Sequence, residues 1–68
     1  MKSQANQVKY VILLDTGAYF VEYLFNELVL SSNLSEAMVF TDIKIAINFK
    51  KLLSQDFSYN FSINTFIE

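Results

Sequence analysis

Asp15, Thr16 and Gly17 are the run in this 68-residue chain whose types and spacing most suggest chemistry. Leu13, Leu14 and Ala18 flank it with apolar side chains. A carboxylate in such a loop can serve as acid or base if a second one shares its proton, because adjacent like charges split their pKa values. The same residues also spell an ordinary hairpin turn, with Asp at the entry and Gly where φ turns positive. The remaining polar groups offer less. Glu22, Glu27 and Glu36 have no spacing that makes them converge. Lys51 and Ser54 are three apart, as on one helical turn, and read as solvated surface rather than a Ser–Lys pair. The chain has no His and no Cys, so an imidazole base, a thiol nucleophile and a Cys/His zinc site are excluded. Gly17 is the single glycine, which removes a phosphate-cradling glycine-rich loop. No cofactor and no metal is expected.

The run Leu13-Leu14-Asp15-Thr16-Gly17-Ala18 resembles the active-site loop of retroviral-type aspartic peptidases. Those enzymes are homodimers of short chains in which one Asp from each copy shares a water. The resemblance implies Asp15 as the catalytic acid/base, with Thr16 and Gly17 holding the loop. The chain departs from that family by being shorter, by lacking a glycine-rich flap and a second apolar-apolar-Gly motif, and by placing its best helix late. Asp15 is therefore read as a turn residue and the protein as a non-enzyme.

Aromatic residues suggest a second chemistry. Tyr10, Tyr19, Tyr23, Phe57, Tyr59 and Phe61 on one sheet would offer stacking faces to a single-stranded nucleic acid, with Lys44, Lys50 and Lys51 supplying charge. The balance of charge speaks against it. The net charge is −2, from five lysines and seven acids, and there is no Arg for phosphate or guanine contacts. Aromatics at strand spacing more often build a core.

These residues must be positioned by a small set of elements. Thr41 to Ser54 has the periodicity of a helix, with Thr41 as N-cap and Asp42 at the positive end of the dipole. Ala46, Phe49 and Leu53 fall on one line; Ile43 and Ile47 flank it on one side, Ile45 and Leu52 on the other. The apolar arc spans roughly 220°, about twice the stripe a surface helix needs. Lys50 and Lys51 sit in the last turns.

Val8 to Leu14 is apolar on both faces and reads as a central strand. Tyr19 to Phe25 is its hairpin return, Asn26-Glu27 either a second tight turn or a bulge, and Leu28 to Leu30 a third strand. Leu34 to Phe40 fits either a helical turn from Ser35 or a short strand ending at Phe40. Phe57 to Asn64 alternates strictly, with an uncharged polar face and no Lys or Pro, so at a sheet edge it would invite pairing. The order β-β-β-α-β predicts an α+β domain over residues 8–68, an antiparallel sheet with one amphipathic helix across a face, preceded by a flexible stretch over residues 1–7. Tyr10, Ile12, Phe20, Ala46, Phe49, Leu53, Phe57 and Phe61 are the expected core.

A chain this short buries only about 60% of its unfolded surface, yet 53% of its residues are apolar. Without disulfide or zinc, dense packing or oligomerisation must supply stability. A homodimer is expected, either through Ile45 and Leu52 on the helix, the favoured surface, or through the Phe57–Asn64 strand with Phe57 and Tyr59. No apolar run is long enough to span a bilayer and no signal peptide is evident, so a cytoplasmic protein is expected.

Lys9-Tyr10-Val11-Ile12, the Ala37-x-x-Phe40 step into the helix and the further Ala46 resemble small uncharacterised proteins of phages and prophages in low-GC Gram-positive bacteria. The resemblance covers about two-thirds of the chain and implies an accessory protein acting on a host, phage or defence protein in the host cytoplasm.

Overall fold

A computed structural model describes residues 8–67, and the expected loose stretch over residues 1–7 lies outside them. Strands β1 (Val8–Leu14), β2 (Tyr19–Leu24), β3 (Glu27–Ser31) and β4 (Phe61–Ile67) form one antiparallel sheet in the order β3-β2-β1-β4. The helix α1 (Ile43–Asp56) packs on one face, and a 3-10 turn spans Leu34–Glu36. The domain is α+β, as the sequence order predicts.

β1 is central because both of its faces are apolar. Val11 is 2% exposed and Ile12 0% exposed, although successive strand residues point to opposite faces. β4 lies antiparallel to β1 along its whole length, from Val8 opposite Ile67 to Leu14 opposite Phe61. The main core collects on the helix face: Ile12, Leu14, Phe20, Phe40 and Phe61 meet Ala46 and Leu53. Tyr10, Phe49 and Phe57, expected in the core, are half-buried against it.

Both hairpins are explained by local backbone chemistry. Leu14 N–H donates to the Ala18 carbonyl at 2.8 Å and Gly17 N–H to the Leu14 carbonyl at 3.0 Å. Gly17 has φ +94°, so Asp15-Thr16-Gly17 is a three-residue loop closed by a residue that favours glycine. The β2–β3 connection uses only Phe25 and Asn26, at φ 52° and 63°. Two successive left-handed residues make the tight turn whose twist suits a hairpin. Phe25 is therefore in the turn, not at the end of β2 as the alternation of apolar residues predicts. A bulge between Phe20 and Glu22 shifts the register by one residue, from Phe20 opposite Leu30 to Leu24 opposite Glu27, so the reversal takes the two residues Phe25 and Asn26 instead of centring on Phe25.

β2 keeps register with β1 only at Leu13 opposite Tyr19. Residues 38–40 enter where it departs. Met38 N–H donates to the Phe20 carbonyl at 2.9 Å, and Phe40 exchanges two hydrogen bonds with Tyr10. The stretch from Leu34 to Phe40 thus holds both a 3-10 turn and a strand-like bridge, the two alternatives that its short apolar pattern leaves open. Ser31 Oγ donates to the Glu36 carboxylate and fastens that turn to the end of β3.

The helix begins one residue later than Thr41 predicts. Asp42 is the N-cap, its Oδ1 accepting from Lys44 N–H at 2.9 Å. The charged Asp42 side chain meets both the orphan N–H and the positive dipole end. At the other end the helix runs on to Asp56, and Phe57 N–H donates to the Leu53 carbonyl. Lys50 and Lys51 therefore fall before the last turn, and the carbonyl end meets a carboxylate instead.

Candidate interaction surface

Helix α1 reaches the sheet with Ala46 and Leu53, and its apolar arc is wider than that contact. Ile45 stays 50% exposed and Leu52 42% exposed on one flank. Asn48 and Gln55 share this flank at helical spacing, so the stripe Ile45-Asn48-Leu52-Gln55 carries no charge. On the opposite flank Ile43 and Ile47 are also exposed. There the helix and the start of β4 leave a cleft of 310 Å³ lined by Ile47, Lys50, Lys51, Phe61, Ser62 and Ile63.

Phe57 and Tyr59 are not strand residues. The last strand begins at Phe61 rather than Phe57, because the longer helix takes up the chain through Asp56 and the next residues turn back. Asn60 serves this turn: its carbonyl accepts from Asp15 N–H at 3.2 Å, and its Nδ2 donates to Asp15 Oδ2 at 3.3 Å. The aromatic alternation instead forms a ring-to-ring series under the end of the helix. Tyr23 meets Phe57 edge-on at 5.4 Å, Phe57 stacks on Tyr59 at 5.9 Å, and Tyr59 meets Phe61 edge-on at 6.2 Å. Such pairs prefer these geometries because the ring face is negative and the edge positive. Phe57 is half-buried and Tyr59 faces outward.

Tyr23 also donates its hydroxyl to Asp56 Oδ2 at 2.7 Å. That hydrogen bond, then desolvation and the charge of Asp56, raise the tyrosine's pKa above its ordinary value. The contact gives the carboxylate at the carbonyl end of the helix a donor, offsetting an unfavourable dipole position.

β4 is an edge strand, and neither Lys nor Pro interrupts it from Phe61 to Ile67. Among the described residues no strand pairs with its outer edge, where another strand can add. The sequence pattern finds this strand's character and misses its start.

The residues singled out for chemistry are dispersed. Asp15 is exposed on its turn, with its carboxylate held by Asn60. The tyrosines do not share a face: Tyr10 and Tyr23 pack toward the helix, while Tyr19, opposite Leu13, lies on the other side. Lys50 and Lys51 border the cleft beside β4. Among the described residues no three His, Cys, Asp or Glu side chains gather as a metal site, and no helix is long and apolar enough to cross a membrane.

Phe25 has no counterpart among the expected site residues. Its ring is 97% exposed at the tip of the β2–β3 hairpin. The sequence signal for it is Asn26, a residue that favours a left-handed turn position, directly after Phe25.

No protein-family model, curated protein or solved structure matches this chain.

Proposed function

We propose that this chain is a non-catalytic interaction module that self-associates as a twofold dimer and acts by occupying another protein. The observation that carries the reading is the apolar flank of α1, where Ile45 and Leu52 stay exposed after the helix has docked on its sheet and the one charge in line, Asp56 at the helix end, holds the Tyr23 hydroxyl. A second copy suits that flank. Ile45 and Leu52 are seven residues apart, two helical turns, so in an antiparallel helix pair Ile45 of each copy meets Leu52 of the other. The self-complementary stripe brings no like charges together. The β4 edge and Tyr59 extend the surface available to further chains.

The phage-like sequence pattern supports an accessory role in the host cytoplasm, with a host or defence protein as the molecule occupied. The exposed turn at Asp15 and the split placement of the tyrosines give the peptidase and single-strand readings less support.

Sedimentation at low micromolar concentration tests the core of this reading, with an expected mass of twice the 7.9 kDa chain. A single-chain mass contradicts it. Pepstatin-sensitive peptide cleavage at acidic pH, or salt-dependent retardation of single-stranded DNA, would replace it with one of the other two functions.

A further inference from the structure

We propose that the tip of the β2–β3 hairpin is a plug that seats in the α1–β4 cleft of a second copy, linking copies head to tail through Phe25. This contact uses surfaces apart from the Ile45/Leu52 flank and stands independently of the twofold dimer.

The plug is defined by backbone and exposure together. Phe25 occupies a left-handed position, φ 52°, in a turn that favours Asn, Asp or Gly. An aromatic residue there is strained, and strain of this kind collects at functional positions. Its ring is 97% exposed, so its own chain gains no packing from it. Leu24 beside it is 55% exposed. Glu27 follows two residues later, and Glu22 lies on the same hairpin opposite Val29. The tip is an aromatic ring with the Glu27 carboxylate at the foot of the turn and that of Glu22 two rungs farther down the hairpin.

The socket has the opposite character. Ile47, Phe61 and Ile63 give the 310 Å³ cleft an apolar lining, and Lys50 and Lys51 bring two ammonium groups to it. Neither lysine has an ion-pair partner among the described residues. The cleft is at the small end of ligand-site volumes of about 300–1,000 Å³. An aromatic side chain fits inside such a space, and the Glu27 carboxylate, with Glu22 farther down the hairpin, then lies on the side of the lysines.

The plug projects from the β3 side of the sheet and the socket lies at the β4 edge. The contact is thus heterologous, and copies add in a row unless the rotation closes a ring. One buried aromatic contributes about 150–250 Å², well under a standard interface of about 1,600 Å². The link is accordingly weaker than a full dimer contact and appears at high concentration.

The test uses the full chain carrying Ile45→Glu and Leu52→Glu, which removes the twofold contact. Sedimentation equilibrium is followed from about 10 μM to about 1 mM, the range in which weak complexes populate. The weight-average mass is expected to climb past twice the 7.9 kDa chain mass without a plateau, or to settle at a closed ring of three or more. Phe25→Asn keeps a residue that accepts the left-handed backbone, so it melts at or above the parent temperature and holds the mass at one chain. Lys50→Glu/Lys51→Glu does the same from the socket side, with Lys51→Glu alone as the milder variant. An equimolar mixture of the plug variant and the socket variant is decisive: one intact plug and one intact socket give a 1:1 pair that cannot grow. A mass that stays at two chains or fewer throughout, a Phe25→Asn protein that still grows, or a mixture that does not pair overturns the proposal. None of these results bears on whether the unmutated helix flank dimerises.

Discussion

Tyr10 and Phe40 exchange both backbone hydrogen bonds, each N–H donating to the other's carbonyl at 2.8 Å. This pair binds the residues just before α1 to the central strand and so fixes where the helix starts. Phe40 is buried there, with its ring 5.4 Å from Phe49 and 6.5 Å from Phe20.

Phe40→Ala is expected to destabilise the protein by about 3–5 kcal/mol, comparable with the whole stability of so small a domain. Phe49→Ala should cost less, because Phe49 is only half-buried. Thermal or urea melts of the two variants check the order; a Phe40→Ala protein melting within a couple of degrees of the parent would show that this anchor is not needed.

The Asp15 loop allows a test of conformation against chemistry. Gly17→Ala meets open space but must adopt φ +94°, and left-handed backbone costs an L-residue about 1–2 kcal/mol. Asp15→Asn should leave the fold intact and any binding activity unchanged, since an amide oxygen can still accept from Asn60. A folded Asp15→Asn protein that had lost a demonstrable activity would return Asp15 to a chemical role.

What the sequence discloses here is what local periodicity encodes. Ala46, Phe49 and Leu53 at helical spacing mark the face of α1 that docks. Val11 and Ile12, apolar neighbours in a β-run, mark β1 as central. Ile45 and Leu52 fall outside the docking face on the helical wheel, and they are exposed. The features that escape are set by pairing between distant residues. The bulge after Phe20 arises in the pairing of β2 with β3, and it sets the turn at the two residues Phe25 and Asn26. Phe57 continues the alternation of β4 in sequence, yet Asn60 is held by Asp15, forty-five residues away, and the strand waits until Phe61 meets Leu14. The cleft beside Lys50 needs the helix and β4 placed side by side, which no window of sequence contains.

Tyr23 and Asp56 give the protein an alkaline signature. The folded pKa of Tyr23 is raised, so the neutral tyrosine is the form that favours folding. Its contribution is full below the ordinary tyrosine pKa of about 10 and is lost as pH rises through the higher folded value. Stability should fall above pH 10, and Asp56→Asn should lessen that fall. Ultraviolet titration of the four tyrosines ought to show one ionising late in the parent and earlier in the variant. Identical titrations would mean that the hydrogen bond does not hold in solution.

The twofold contact through α1 is tested most directly by sedimentation of charge variants at low micromolar concentration. The unmutated chain is expected at twice 7.9 kDa, and Ile45→Glu/Leu52→Glu at a single chain because like charges then face each other across the axis. Ile45→Glu/Leu52→Lys places opposite charges in the same antiparallel positions, and it is predicted to recover the dimer mass. An unmutated protein that sediments as a single 7.9 kDa chain, or a dimer that Ile45→Glu/Leu52→Glu leaves intact, would contradict the account.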